Sequence, residues 1–302
     1  MISNLLVLQS DFGISDGAVS AMYGVANSVN PHIRIFDLTH DIPPFNIWEA
    51  SFRLLQTVSY WPEGTVFVSV VDPGVGSERR SIVVKTSDGK FIITPDNGTL
   101  THIAELSGIV EARIIDENVN RLPNSGESYT FHGRDIYAYT GARLASGVIS
   151  FGEVGPSVEV DTVVKLPVTS AYIKDSSLTG IIEILDIRFG NLWTNINRQL
   201  LKKLDIQYGD MLEVTIEKGT QQVYKNTMIF GRSFAASGIG EPIVYVNSLD
   251  NLGIAINQGS FASIYKVGTG NNWTLTIKKA AKKIYSRRRV SCKEVSYRQK
   301  QS

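Results

Sequence analysis

The sequence predicts an α/β protein in two parts: an N-terminal α/β domain on a mainly parallel sheet, then an antiparallel β-barrel domain. Three observations predict it. Short β-branched apolar runs alternate with helical patterns through the first half, as a parallel sheet with crossover helices requires. From about residue 162 the rhythm changes to strands separated by turn residues, with no long helical period. Finally, 302 residues with 43% hydrophobic content can fill two cores without metals or disulfides.

The elements follow in order. Residues 5–8, Leu-Leu-Val-Leu, read as a first core strand. Asp16 then serves as N-cap of a helix over 17–29, because a short acidic side chain accepts the first free N–H groups. A strand over 33–38, a helix over 47–60 and a β-branched strand over 65–71 come next. Residues 81–85 and 91–94 form a hairpin around Ser87-Asp88-Gly89-Lys90. Helices over 99–106 and 134–146 close this part, the second rich in Ala and Gly for close packing. Barrel strands are expected at 178–186, 211–217, 222–230, 243–246, 252–256, 261–265 and 273–277. The expected division is 1–165, 166–277, and a basic tail at 278–302 that is expected to be disordered.

Charge and cysteine usage narrow the function. The net charge of +1 conceals ten Lys or Arg and one Glu in residues 278–302; the rest holds 20 basic against 28 acidic residues, a net −8. An acidic body argues against a nucleic-acid enzyme. Cys292 is the single cysteine, so no internal disulfide, zinc finger or redox pair is available, and a cytoplasmic location is expected. The N-terminus reads as a core strand rather than a signal peptide, and no apolar run approaches the roughly 18 residues that span a bilayer, so no membrane association is expected.

Polar residues at strand ends are the candidates for chemistry, since ligands bind open α/β sheets there. Asp11 ends the first strand in Ser10-Asp11-Phe12-Gly13. The strand over 65–71 runs into Asp72-Pro73-Gly74-Val75-Gly76-Ser77-Glu78-Arg79-Arg80, a Pro-Gly turn that sets guanidinium groups seven and eight residues after a carboxylate. A surface turn with a simple ion pair is the plain alternative. Neither a dinucleotide fingerprint nor a P-loop is completed. In Tyr129-Thr130-Phe131-His132-Gly133-Arg134-Asp135, His132 opens a helix, where its protonation is tunable near neutral pH. His32, His40 and His102 look isolated; His40, in Thr39-His40-Asp41, is the one to watch. Asp11, Asp72, His132 and His40 could be read as metal ligands, but no two-His spacing or glutamate helix supports it. No metal or other cofactor is expected, and a metallohydrolase is an alternative enzyme class.

The ordered set becomes specific: Ser-Asp-Phe-Gly at 10–13, Pro-Pro-Phe-Asn-Ile-Trp-Glu-Ala at 43–50, Val-Asp-Pro-Gly-Val-Gly-Ser-Glu-Arg-Arg at 71–80 and Phe-His-Gly-Arg-Asp at 131–135. Joined by Pro-Asp-Asn-Gly at 95–98, Phe-Gly-Asn-Leu-Trp-Thr-Asn at 189–195 and Val-Asn-Ser at 246–248, it resembles the SAM hydroxide adenosyltransferase family, relatives of the SAM-dependent fluorinase and chlorinase. The resemblance runs over residues 4–277. It implies an N-terminal α/β domain, a C-terminal β-barrel, and a homotrimer with sites at subunit interfaces. It also implies that Asp11 holds the ribose hydroxyls, Phe45 lines the ribose, Phe189 and Phe234 sandwich adenine, and Asn191 with the backbone at Asn257 and Gln258 reads the adenine edge. Asp186 and Ser248 would bind the methionine end. Aromatic faces stack on a purine, and a carboxylate pairs with hydroxyls or an ammonium, so these residue types suit those tasks.

The hydrolase subgroup's Asp, Arg and His map onto Asp72, Arg79 and His132, and the halogenases differ at the carboxylate and histidine positions. The turn between 85 and 91 is also tight, where the fluorinase carries a long insertion. Leu249 and Ile256 stand where the halogenases place arginines near the methionine carboxylate. The expected activity is therefore hydrolysis of S-adenosyl-L-methionine, the substrate rather than a cofactor, to adenosine and L-methionine. The alternatives are a halide-dependent adenosyl transferase and a non-catalytic S-adenosylmethionine or adenosine sensor.

Overall fold

A computed structural model describes residues 3–281. Most of the expected basic tail lies outside them. Two compact units are distinguished. The first runs to Ser170 and includes Ile181–Asp186 and Gly268–Asn271; the second holds the remainder.

The first unit alternates β1 (Leu5–Ser10), α1 (Ala18–Val29), β2 (Arg34–Thr39), α2 (Ile47–Val58) and β3 (Val66–Val70). It continues with β4 (Ser81–Thr86), β5 (Phe91–Pro95), α3 (Thr101–Leu106), β6 (Ile109–Ile114), α4 (Tyr139–Ala145) and the short β7 (Ser157–Val158). The sheet order is β2-β1-β3-β5-β4-β6-β7. β2, β1, β3 and β5 are parallel neighbours, whereas β4, β6 and β7 add antiparallel pairings. Every residue of β1 and β3 is buried because helices cover both faces. Leu6, Leu8, Val66, Val68 and Val70 pack with Met22, Tyr137 and Ala142 on one side; Val7 and Phe67 pack with Leu54, Leu100 and Ile103 on the other. Gly141 lets α4 lie close to the sheet, since a Cβ there would stand 2.6 Å from Val68.

From β1 the chain moves to β2 on one side and then returns to β3 on the other. That reversal opens a crevice at the carboxyl ends of β1 and β3, the place where a doubly wound sheet takes a ligand.

The second sheet comprises β8 (Tyr172–Lys174), β9 (Ser177–Leu185), β10 (Leu192–Asn197), β11 (Met211–Lys218), β12 (Gln221–Phe230), β13 (Pro242–Val246), β14 (Asn251–Ile256) and β15 (Gly270–Lys279). Their order is β10-β14-β13-β12-β11-β15-β9-β8, and β10 also pairs with β9. Seven strands thus close into a barrel, with β8 appended to β9. Alternate residues fill it, including Leu212, Val214 and Ile216 from β11 with Trp273, Leu275 and Ile277 from β15. One pair, β12 with β13, runs parallel within the otherwise antiparallel pattern of β11–β12, β13–β14 and β10–β14.

Some local expectations are corrected. Residues 261–265 form α6 (Phe261–Tyr265), not a strand: Ser260 Oγ accepts the Ser263 N–H at 3.2 Å, and Lys266 ends the turn in a left-handed conformation. A short apolar run carries no decisive period, and the cap decides it. Leu192–Asn197, which overlaps the Phe-Gly-Asn-Leu-Trp-Thr-Asn motif, is a further strand and is followed by α5 (Arg198–Lys203). The helix expected over 134–146 begins with a π-helical segment, Gly133–Ala138, before α4. β15 continues past residue 277, with Lys278 paired to Glu213 at 2.9 Å and Lys279 to Asp210 at 2.8 Å. The N-cap of α1 is Gly17 rather than Asp16, which stands one residue earlier with its Oδ1 accepting the Ala18 N–H at 2.9 Å.

Candidate active site

The crevice of the first unit holds a cavity of about 260 Å³ lined by Asp11, Phe45, Asp72, Val75, Phe131 and His132, among others. Asp11 reaches it from the end of β1. Its Oδ2 accepts the Phe45 N–H at 2.9 Å and so anchors the loop before α2, in which Phe45 takes a φ of +67° and exposes 70% of its surface.

Asp72 follows β3 and opens the Pro-Gly turn. Val75 N–H bonds back to Asp72 O, Ser77 Oγ donates to Gly74 O, and Gly76 takes φ +77°, a conformation glycine adopts without steric cost. The turn folds Arg79 back over the carboxylate that began it. Arg79 Nε donates to Asp72 Oδ1 at 2.9 Å and Nη2 to Asp72 Oδ2 at 2.5 Å, a bidentate pair. Both side chains are nearly buried, at 10% and 6% exposure, so this is not the exposed ion pair of a surface turn. Burial alone would lower the guanidinium's pKa; its bonds to Asp72, with the further electrostatic pull of Tyr137, Asp72 and Glu117, together outweigh it and hold Arg79 above its ordinary value.

His132 joins from 53 residues further along the chain, at the entrance of the π-helical segment. Arg79 Nη2 stands 2.9 Å from its Nδ1. A guanidinium only donates, so Nδ1 is the acceptor and the neutral ring carries its proton on Nε2. Burial, then the adjacent Arg79 charge, lowers the His132 pKa and favours that neutral form. Nε2 is buried and has no hydrogen-bond partner among the described residues. It is a fixed donor in a residue that lines the cavity.

Thus Asp72, Arg79 and His132 converge, with Asp11 and Phe45 around the same cavity. Asp186 belongs to the first unit by packing and is half-buried. The remaining candidates lie on the second unit. Phe189 and Phe234 are 64% and 38% exposed, Asn191 is buried, and Ser248 and Gln258 are exposed. Asn257 ties the Phe234 turn, its Nδ2 donating to Phe234 O at 3.1 Å and Ser237 O at 2.8 Å. Its own N–H is already given to Glu241 O, leaving the backbone of Gln258, at φ +58°, as the more open edge there.

The sequence reading missed what stands behind Arg79. Nη1 donates to Ser81 Oγ at 2.9 Å, and Ser81 contacts Glu117 and Tyr137. It also missed that His40 is buried, its Nδ1 2.7 Å from Ser10 Oγ and its Nε2 3.0 Å from Asp37, directly beneath the Asp11 loop. The adjacency of Ser10 to Asp11 and the spacing Asp37 to His40 were the available signals. Among the described residues no three His, Cys, Asp or Glu side chains group as a metal-ligand set.

A doubly wound α/β domain with an Asp–Arg–His cluster at its switch point, followed by a closed barrel, defines a two-domain architecture. Residues 6–155 match the SAM hydroxide adenosyltransferase N-terminal domain, and residues 180–274 its C-terminal domain. The chain belongs to the SAM hydroxide adenosyltransferase family. It is 33% identical over 267 residues to the (R)-S-adenosyl-L-methionine hydrolase of Salinispora tropica, covering 88% of this chain and 95% of that one. It is 30% identical over 296 residues to a fluorinase from an Actinoplanes species, covering 90% and 97%. A crystal structure of an uncharacterized conserved protein from Thermotoga maritima superposes with a TM-score of 0.83 at 31% identity, covering 91% of this chain and all of that one.

Proposed function

We propose that this protein hydrolyses S-adenosyl-L-methionine to adenosine and L-methionine. The observation that carries the reading is that Asp72 and His132 line one cavity with Asp11 while Arg79 hydrogen-bonds both of them. Relatives named as (R)-S-adenosyl-L-methionine hydrolases, at 33 to 36% identity, support it.

Water attacks the ribose C5′ in line with the C5′–S bond. The C5′–O bond forms as the C5′–S electron pair returns to sulfur, which leaves as a neutral thioether, and one proton must be removed from the attacking oxygen. A sulfonium needs no acid to depart, so the catalytic problem is the nucleophile, whose pKa of about 15.7 makes hydroxide scarce. His132, with Nδ1 committed to Arg79, offers the water an Nε2–H donor and cannot take the proton there. Asp72 retains acceptor capacity on both oxygens beyond its bonds to Arg79 and receives the proton. Arg79 holds the two in one frame. Apolar walls at Val70, Val75 and Phe131 lower the local polarity, which favours a reaction that annihilates charge.

Asp11 holds the ribose, and Phe45 packs along it. Phe189, Asn191, Phe234 and Gln258 serve adenine; Asp186 and Ser248 serve methionine. The protein acts as a cytoplasmic homotrimer, in which barrel residues of one subunit complete the cavity of its neighbour; the exposure of Phe45 on the first unit, and separately of Phe189 on the second, supports aromatic side chains that are covered in the assembly.

The test is incubation with S-adenosyl-L-methionine, with and without chelator and halide, and identification of products by chromatography and mass. Adenosine and methionine in every arm sustain the reading. A 5′-halo-adenosine moves it to a halogenase, chelator-sensitive release to a metallohydrolase, and binding without product to a sensor.

A further inference from the structure

Behind the cavity, Arg79 is gripped a second time. Nη1 donates to Ser81 Oγ, the first residue of β4, which is 2% exposed and fixed by its place in the sheet. Ser81 Oγ donates to Glu117 Oε1 at 3.0 Å and lies 3.2 Å from the Tyr137 hydroxyl. Glu117 Oε2 in turn accepts Arg121 Nη2 at 2.8 Å. A hydroxyl has one proton and two lone pairs. A carboxylate only accepts, so the Ser81 proton goes to Glu117 and both lone pairs turn towards Arg79 Nη1 and the Tyr137 O–H. Tyr137 is fully buried, and that burial pushes its pKa up and keeps the phenol a donor.

We propose that Ser81 and Glu117 are positioning residues of this enzyme: they fix the rotation of the Arg79 guanidinium so that Nη2 bridges Asp72 and His132, which locks the His132 proton on Nε2. The direction of the whole chain is set by Glu117, the acceptor-only end, which with Arg79, Arg80, Asp116 and Asn118 lines a solvent-facing groove that Asp72 does not line. Without that grip the guanidinium plane can tilt about the line that joins it to the Asp72 carboxylate, and the bond to His132 Nδ1 is the one released. The charged groups around His132 are Arg79, Arg121, Asp72 and Glu117; loosening Arg79 removes the nearest positive charge and the donor to Nδ1 together.

The inference rests on the hydrolase reading for its kinetic arm. Ser81→Ala should lower kcat on the order of tenfold, the effect of one charge-assisted hydrogen bond, with KM within about twofold. Its acid limb of kcat/KM should move to higher pH. Glu117→Gln, which keeps an acceptor oxygen, should do the same to a smaller degree, and Glu117→Ala to a larger one. If Ser81→Ala does not fold, the Glu117 pair, on the solvent side, carries the test. Imidazole ¹⁵N NMR, with His132 assigned from a His132→Gln sample, provides a readout independent of turnover: Nδ1-acceptor shifts in the unmodified protein, tautomer exchange and a raised midpoint in the variants. Variants with unchanged kcat, pH profile and tautomer overturn the proposal, as does a fall in thermal stability alone. An unmodified protein that releases no adenosine overturns the hydrolase reading, while the NMR comparison still decides the positioning role.

Discussion

Two histidines of the first unit are buried alike and differ in partners and access. His102 lies between a hydroxyl and a carboxylate: Ser51 Oγ is 2.8 Å from Nδ1 and Glu183 Oε1 is 3.2 Å from Nε2. All three are buried, Trp48 and Phe52 pack edge-on against the ring, and each ring nitrogen has a partner. His132 is equally buried but keeps Nε2 unpartnered in a residue lining a cavity. A Ser–His–Glu arrangement is thus not a site by its composition. An unmet donor beside a space for substrate is what separates a reactive cluster from a structural one.

The comparison breaks most visibly if the two histidines are exchanged in role. His132→Gln and Asp72→Asn should each lower turnover by about 10²- to 10⁴-fold, with adenosine affinity by calorimetry changed little. Next in size, His102→Ala should cost about 3 kcal/mol of stability in denaturant unfolding, because Glu183 and Ser51 lose a buried partner. Turnover per folded molecule should persist. Loss of turnover without loss of stability would erase the distinction.

The pH dependence sharpens it further. Burial and Arg79 depress His132 below the ordinary imidazole value of about 6.5. The unfolded chain therefore takes up the proton first as pH falls. The stabilisation from a neutral His132 is complete above about pH 6.5 and is lost as pH drops through the lower folded value. The kcat/KM profile should share that limb, and His132→Gln should abolish it.

A smaller effect is expected from His40→Leu, which frees Ser10 beneath the Asp11 loop. KM should rise about threefold, the worth of one weakened hydrogen bond, with kcat less altered. Smallest is Lys278→Ala, which removes a half-exposed pair with Glu213 and should shift stability by less than about 0.5 kcal/mol.

Much of this was legible in the chain. Periodicity and turn chemistry located β1, α1, β2, α2 and β3 in sequence because those signals act within a few residues, and the ends of the two central strands marked Asp11 and Asp72. The Pro-Gly turn announced that Arg79 returns to Asp72. Residues 261–265 misled because a short apolar run suits strand and helix alike until the Ser260 cap chooses.

By itself the sequence determined the fold class and the order of the family's motifs, and the resemblance those motifs carry pointed to Asp72, Arg79 and His132. Only the tertiary structure decided that His132 reaches Arg79 across 53 residues, that Ser81 and Glu117 stand behind the guanidinium, and that His102 is sealed between Ser51 and Glu183. The reason is physical. Helix, strand and turn preferences are set by neighbours along the chain, whereas a proton's place on an imidazole is set by whichever donor packing brings within about 3 Å.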